Sequence, residues 1–398
     1  MIEKPIDEIT KEDIEALIQN EVLEKRTIEY KREIPGDSDE NKREFLADIS
    51  SFANAAGGDL LFGISAAEGV PKEAKGLNCE IDSLKLRLEN IIRDGIAPRI
   101  PGVRMEPIEG FPEGPIIIIR IPKSWAAPHM VKFKNLSRFF TRNSAGKHQM
   151  DVTEIKSAFL LSEALPEKIR SFRDKRLGRI IADEAPVSLC SGGRLVLHIL
   201  PIASFTSDYN LDISTFKNHS INLPPMGGGN RDRFNFDGFL TYDKGGGNTC
   251  SPSYCQIFRR GQIEAVLTDF LKKQNDSVYI ASTYFEKKVI IASNKYAGVL
   301  KQLGVPCPLI ILLSLVGVSG ALMMVRPGYN TRDDSPIDRD TLLLPDLLIE
   351  DYSILSDPNE MPKEMGKAFR PTFDAVWNAC GYEHSLNYDT DGNWKAHQ

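Results

Sequence analysis

Three charged residues near the N-terminus have the types and spacing for metal-assisted phosphate chemistry. Glu29 and Lys31 lie two positions apart in segment 27–31, whose alternation predicts a strand, so both side chains should share one face. A carboxylate there can hold Mg²⁺ or Mn²⁺, and the lysine can stabilise a nucleophile or a charged phosphate. Glu24, five residues earlier, reaches the same place only if the chain turns between them. The alternative is a charged strand face with a weak surface ion pair.

A second candidate is a basic tract. Between Gly114 and Met150 the sequence has no acidic residue, although the whole chain carries a formal net charge of −6. Aromatic side chains, such as Trp125 and Phe139, are interleaved with the cations. Such a tract suits phosphate backbones and stacked bases, so it predicts contact with RNA or DNA; the alternative is a solvated sheet face above core aromatics. The seven cations are Arg120, Lys123, Lys132, Lys134, Arg138, Arg142 and Lys147.

Segment 142–147 within this tract could also hold a nucleotide phosphate, which makes ATP a candidate ligand. It lacks the spacing of a P-loop, so an ATPase is not predicted.

The elements that must position these residues form a first domain over residues 1–165. Apolar spacing predicts helices, and alternating or uniformly apolar runs predict strands. Asp151 and Glu154 form a capping box that should begin a further helix, ending near residue 163. The expected helices are 11–22, 41–55 and 81–94, and the expected strands are 27–31, 59–65, 115–121 and one or two within 132–141.

The rest of the chain has a different pattern. Residues 166–180 predict a basic linker helix, 181–330 a mainly β domain, and 331–398 a C-terminal extension. The whole is therefore α+β. Within the second domain, strands are expected at 187–201, 278–284, 289–292 and 309–325, and one helix at 262–273.

Several polar residues of the second domain are interpreted as structural. His198 and His219 have no partners at metal-ligand spacing. Four others, which could form a polar site, are interpreted as turn residues and a surface ion pair: Arg233, Asn235, Asp237 and Arg259.

The cysteines and the apolar segments indicate in which cellular compartment the protein is expected. The six cysteines are scattered without a CxxC pair, which favours reduced thiols in a cytoplasmic protein. The acidic N-terminus does not have the pattern of a signal peptide. Residues 309–325 are uncharged, but serines and glycines in their middle favour strand, turn and strand over a membrane span. We therefore expect no membrane contact.

Taken in order, the motifs of residues 11–163 resemble the Schlafen-type AlbA-like domain family. The resemblance begins with two glutamates and a lysine, continues through a run ending in a glycine pair and a second strand, and includes the helix that follows Asp151. The motifs are Glu24-x4-Glu29-Tyr-Lys31, Ser51-Phe-Ala-Asn-Ala-Ala-Gly-Gly-Asp-Leu-Leu-Phe-Gly63-Ile64, Ile96-Ala-Pro98, Pro128-His129 and Arg138-Phe-Phe-Thr-Arg142-Asn-Ser-Ala-Gly146.

The resemblance implies an N-terminal Schlafen AlbA-like α/β domain that binds nucleic acid. In nuclease members, two glutamates spaced like Glu24 and Glu29 join an aspartate in the turn after the second strand. That turn here, Ser65–Gly69, contains no aspartate, and Glu68 is the acid that could replace it. The implied metal ligands are Glu24, Glu29 and Glu68, and the implied catalytic residues are these three together with Lys31.

Three functions follow as hypotheses. The first is a metal-dependent endoribonuclease that cleaves tRNA or other RNA with Mg²⁺ or Mn²⁺, in stress or phage defence. The second is a non-catalytic module that binds DNA, RNA or a nucleotide. The third is a scaffold whose second domain binds a protein. The sequence does not exclude an oligomer.

Overall fold

A computed structural model describes residues 1–2, 4–143, 146–205, 210–218, 222–229, 231–244, 249–325, 335–357 and 360–395. His219 lies outside these residues, as do Ser144 and Ala145 of the segment that could hold a nucleotide phosphate. The chain divides into two compact units: unit 1 is Met1–Leu165, and unit 2 is Pro166–Gln398.

Unit 1 alternates short helices and strands. Its helices are α1 (Lys11–Gln19), α2 (Asp39–Asn54), α3 (Ile81–Gly95) and the first part of α4 (Val152–Ile181). Its strands are β1 (Ile28–Lys31), β2 (Gly58–Phe62), β3 (Ile64–Ala67), β4 (Val70–Ala74), β5 (Ile96–Ala97), β6 (Arg104–Ile108), β7 (Ile116–Ile121), β8 (Met130–Phe133), β9 (Leu136–Asn143) and β10 (Gly146–Gln149).

Local sequence explains where the helices begin. The Ser38 hydroxyl accepts from the Asn41 N–H at the start of α2. The predicted capping box is confirmed, since the Glu154 carboxylate accepts from the Asp151 N–H and the Asp151 carboxylate from the Glu154 N–H.

The central sheet of unit 1 has the order β1-β2-β7-β6, with β1 parallel to β2 and the other pairs antiparallel. Its isoleucine-rich strand β7 is buried on both faces. One face packs against α2 and α3, and the other against the segment containing Ile14. A second sheet has the order β10-β9-β8-β5, and a hairpin pairs β3 with β4. Strand β1 therefore lies at the edge of the central sheet.

Unit 2 contains the second part of α4, three further α-helices and eleven strands among its described residues. The helices are α5 (Ser282–Gln302), α6 (Lys363–Ala368) and α7 (Arg370–Ala379). The strands are β11 (Arg194–Pro201), β12 (Arg231–Phe234), β13 (Gly238–Tyr242), β14 (Ser253–Phe258), β15 (Ile263–Leu267), β16 (Leu271–Gln274), β17 (Ser277–Ala281), β18 (Leu309–Val316), β19 (Leu322–Met324), β20 (Thr341–Leu343) and β21 (Leu347–Ile349).

A large sheet organises unit 2. Its order is β12-β13-β14-β15-β11-β18-β20, with β21 also paired to β18, and a smaller sheet has the order β16-β17-β19. Residues 166–180, expected as a linker helix, are part of α4, and Leu177 and Ile180 are buried in the unit's own core. Residues of the expected C-terminal extension, including Phe373 and Trp377, lie in the main core of the same unit. The α+β class is confirmed, with unit 2 mainly sheet.

Two predictions in this unit were wrong. Residues 262–273, expected as a helix, contain β15 and part of β16, because β15 pairs on both sides and is buried throughout. A strand buried on both faces does not alternate between apolar and polar residues, so its sequence can resemble that of a buried helix. The expected strand at 289–292 lies inside α5. Residues 282–284, the end of the strand expected at 278–284, also belong to α5.

The prediction for 309–325 was correct, since β18 and β19 flank a turn. Across the described part of the chain, no helix is long and apolar enough to cross a membrane. The cysteine prediction was wrong for one pair: Cys190 and Cys250 are joined by a disulfide, whereas the other four are free thiols.

Candidate nucleic-acid interface

Glu29 and Lys31 share one face of β1, as their two-residue spacing predicts. Both side chains are partly buried, while Ile28 and Tyr30 face the opposite core. The Lys31 Nζ lies 2.5 Å from the Glu29 Oε1. The Arg142 Nη2 of β9 donates to the other carboxylate oxygen of Glu29, also at 2.5 Å. The Glu29 carboxylate is thus held between two cations.

The same face meets α2, which adds two carboxylates. Asp48 lies 3.5 Å from the Lys31 Nζ and 2.7 Å from the Lys147 Nζ, and Lys147 also binds Glu44 at 2.6 Å. The Arg142 guanidinium stacks on the Phe52 ring at 3.8 Å from its centre. We call this group the charged cluster; its six members, three acids and three cations, are Glu29, Lys31, Glu44, Asp48, Arg142 and Lys147.

Burial and charge act in opposite directions on these groups. Burial alone would raise the pKa of Glu29, but the charges of Arg142 and Lys31 lower it below the ordinary value. Burial, followed by the neighbouring Glu29 charge, raises the pKa of Asp48 despite its two lysines. Burial disfavours the Lys31 ammonium, but Asp48 and Glu29 raise its pKa overall. Glu29 and Lys31 are therefore an ionised pair at neutral pH.

Glu24 has a different environment from Glu29. A turn closed by hydrogen bonds between Lys25 and Ile28 brings Glu24 back along the free edge of β1. There its Oε1 accepts from the Tyr30 N–H at 2.9 Å, which satisfies a donor that no neighbouring strand pairs. The Glu24 N–H donates to the Gly69 carbonyl, beside the turn that carries Glu68. The Glu68 side chain is exposed.

These surroundings do not fit the implied three-carboxylate metal site. Glu29 is bound by two cations, Glu24 by a backbone N–H, and Glu68 is exposed. Within the described ranges, no three His, Cys, Asp or Glu residues are placed to hold a metal ion. The Mg²⁺ or Mn²⁺ site, and the catalytic roles assigned through it, stay predictions, as does ATP binding.

The seven cations of the basic tract lie in several environments. Arg120 forms a bidentate ion pair with the buried Asp59 and also donates to the backbone carbonyls of Ile2 and Lys4. Arg142 and Lys147 belong to the charged cluster. Lys123 lies over the Trp125 ring, 4.5 Å from its centre. Each of these four cations therefore contacts acids or an aromatic ring in its own surroundings, and the four do not form one basic surface.

The other three cations surround the tip of the β8–β9 hairpin. Lys132, Lys134 and Arg138 all have exposed side chains. Lys134, in the turn, pairs with Asp39 at the start of α2. Lys132 and Arg138 form no ion pair with any residue that the structure describes. We call these three residues the basic hairpin.

A comparison with protein families matches the Schlafen AlbA_2 family model to residues 24–151. The chain therefore contains a Schlafen AlbA_2-type domain. This family suggests a nucleic-acid-related function. No curated protein matches the chain. A solved structure, the DIP2311 protein of Corynebacterium diphtheriae, matches at 15% identity over 35% of this chain and 26% of that one, with a TM-score of 0.24. The chain thus spans about a quarter of that protein's length, and so low a TM-score supports no argument.

The motifs of the AlbA_2-type domain have structural explanations. The Asn54 amide donates to the carbonyls of His129 and Phe140 and accepts from the His129 N–H, so it joins α2 to the second sheet. Gly57 has φ of +73°, and a Cβ there would lie 2.6 Å from the Lys123 backbone nitrogen. Only glycine fits this position.

Sequence reasoning missed Asp48 and Glu44 of the AlbA_2-type domain. A signal for Asp48 was present: it lies three residues after Phe45 and four before Phe52, on the helix face expected to be buried. A carboxylate on such a face needs cationic partners. Nothing in the spacing identifies Lys31 and Lys147 as those partners, because they come from distant strands.

Proposed function

We propose that the AlbA_2-type domain binds RNA or DNA phosphates through the basic hairpin. The observation that carries this proposal is the exposure of Lys132 and Arg138 without an ion-pair partner in the described ranges. A phosphate that reaches these side chains does not have to displace a carboxylate. The cations of the charged cluster, in contrast, already neutralise three acids.

Replacing Lys132 and Arg138 together with alanine should weaken binding of single-stranded RNA and reduce its salt dependence. Each lost phosphate contact removes about 0.7 from the slope of log K against log salt concentration, so the slope should fall by about 1.4. Fluorescence anisotropy with a labelled oligonucleotide at several salt concentrations measures this slope.

The matched control replaces Lys72 and Arg93 with alanine. Both are half-exposed cations of unit 1, paired with Glu21 and Asp94, so the net charge changes equally. If wild type, the control variant and the hairpin variant all have the same salt slope, the basic hairpin does not bind phosphate.

RNA cleavage is a second candidate function of this domain. It is supported by one observation: Glu29 and Lys31 lie on one strand face, 2.5 Å apart, with Asp48 beside them. Both groups are ionised at neutral pH. The Lys31 ammonium, held by Glu29 and Asp48, can therefore stabilise the negative charge that develops on a phosphate during cleavage. Because the implied metal ligands are not gathered, no metal-dependent step is derived.

The cleavage candidate predicts that the purified protein cuts tRNA and that Glu29→Gln abolishes the cut. Gel analysis of end-labelled tRNA measures the products. Glu44→Gln, which changes the most exposed acid of the charged cluster, is the control and should leave cleavage within about threefold of wild type. Uncut tRNA, or equal cleavage by wild type and Glu29→Gln, would leave binding as the function.

A further inference from the structure

In unit 2, one aromatic side chain is exposed at a tightly held turn. Phe236 lies between β12 and β13, and its side chain is 92% exposed, more than that of any other large hydrophobic residue described. The turn Phe236-Asp237 is closed by backbone hydrogen bonds between Asn235 and Gly238. An exposed ring is ordinary on a loose loop, but this backbone is fixed.

The anchoring of the turn is buried. The Asn235 amide donates to the Gln256 side chain at 2.6 Å, and its own oxygen accepts from the Gly238 N–H at 2.8 Å. Gln256 is almost fully buried. Gly238 has φ of +154°, and a Cβ there would lie 2.1 Å from the Ile257 carbonyl oxygen. The ring is therefore presented without the entropy cost of ordering its loop on binding.

Three exposed cations lie around the same end of the sheet. The Arg259 Nε donates to the Phe236 carbonyl at 3.1 Å. Arg260 contacts the Ser204 carbonyl, and Lys168 the adjacent carbonyl of Phe205, each at 3.5 Å. None of the three forms an ion pair with another described residue. We call Phe236, Arg259, Arg260 and Lys168 the Phe236 surface.

Asp237, in the turn itself, forms no ion pair with these three cations, and its charge helps to raise the pKa of the buried Arg176 guanidinium. The surface therefore combines an exposed ring with cations that no described acid pairs. An apolar protein partner would have to desolvate these cations, whereas a polyanion with flat rings matches both features.

We propose that the Phe236 surface binds single-stranded nucleic acid, with a base stacked on Phe236 and phosphates bound by Arg259, Arg260 and Lys168. This rests on the proposed nucleic-acid binding of the chain and adds a second contact, with a preference for unpaired bases. A duplex keeps its bases stacked on one another, so it can use the cations but not the ring.

Phe236→Ala in the full chain should weaken binding of a labelled single-stranded RNA by about 5- to 150-fold, which is the effect of about 1–3 kcal/mol for one stacked base. Binding of a duplex of the same sequence should change less than twofold. The control is Leu348→Ala, which removes a half-exposed apolar side chain elsewhere in unit 2. Equal affinities of wild type and Phe236→Ala for the single strand would overturn the proposal.

A second measurement reports contact directly. In Phe236→Trp, adding the single strand should quench indole fluorescence beyond the change seen in wild type, whose own tryptophans are the partly buried Trp125 and the buried Trp377 and Trp394. Wild-type affinity should be retained, because indole also stacks. No additional quenching at saturating RNA would contradict a stacked base.

The two proposals fail in different ways. If Phe236→Ala binds like wild type while the Lys132/Arg138 variant has a smaller salt slope, the proposal for the Phe236 surface is wrong and the proposal for the basic hairpin is supported. If the salt slope of the Lys132/Arg138 variant is unchanged while Phe236→Ala loses single-strand affinity, the proposal for the basic hairpin is wrong and the proposal for the Phe236 surface is supported.

Discussion

Replacing Arg176 with methionine will lower the free energy of unfolding of unit 2 by about 3–5 kcal/mol at neutral pH, because it leaves a buried carboxylate without its cation. Glu264 is fully buried in β15. The Arg176 Nη2 and Nε donate to its two oxygens at 2.7 and 2.8 Å. Tyr254 and His198, from the two neighbouring strands, complete the carboxylate's hydrogen bonds at 2.8 and 3.0 Å.

The same variant should have an altered dependence of stability on pH. Burial opposes ionisation of Glu264, but the hydrogen bonds from Arg176 and His198 lower its pKa to about 2, from 4.5. Since the folded pKa is below the unfolded one, this group stabilises the wild type above pH 4.5, and the contribution is lost as pH falls toward 2. Without Arg176 the folded pKa rises. The deficit of the variant should therefore shrink on acidification.

Guanidinium unfolding at pH 7, 5 and 3, followed by tryptophan fluorescence, measures both effects. Arg173→Met is the matched control, since Arg173 lies on the same helix but pairs with Asp346, which is half-exposed, at 3.4 Å. Its cost should be within about 1 kcal/mol. A similar loss in both variants, independent of pH, would show that the methionine side chain and not the unpaired carboxylate is responsible.

Glu286→Gln should release the C-terminal part of unit 2, with a loss of about 2–5 kcal/mol in its free energy of unfolding. Glu286 of α5 is fully buried, and four side chains donate to its two oxygens at 2.7–2.9 Å: Trp377, Ser385, Asn387 and Trp394. A glutamine has one oxygen, so two donors would face its NH₂ group. Each unsatisfied buried donor costs about 1–3 kcal/mol.

Hydrogen exchange of peptides covering 377–394 measures this release, and the emission of Trp377 and Trp394 should shift to longer wavelength as they meet water. Glu364→Gln, on the exposed surface of α6, is the control and should change neither signal. Unchanged exchange in Glu286→Gln would mean that the segment is held by apolar packing alone.

Local sequence was sufficient where one element determines the outcome. The spacing of Glu29 and Lys31 predicted a shared strand face, and the Asp151–Glu154 capping box predicted the start of a helix. Serines and glycines within 309–325 predicted strand, turn and strand. Each of these depends on the geometry of a few consecutive residues, which is the same in any protein.

Local sequence was not sufficient where contacts with residues distant in the chain determine the structure. Residues 262–267 have apolar residues that fit either a helix or a buried strand, and pairing with β11 and β14 selected the strand. The turn at Lys25–Ile28 does bring Glu24 to β1, but the free N–H of Tyr30 at the sheet edge binds its carboxylate. Asp48 became a partner of Lys31 only when α2 packed on that face.

The sequence by itself determined that the chain carries an AlbA_2-type domain with Glu29 and Lys31 side by side, followed by a mainly β unit. Only the tertiary structure decided which charges are paired. It placed Arg120, Arg142 and Lys147 against acids from other elements, left Lys132 and Arg138 exposed, and fixed Phe236 at a rigid turn. The reason is physical: periodicity tells which face a side chain occupies, whereas its charge partner comes from residues that are distant in the chain.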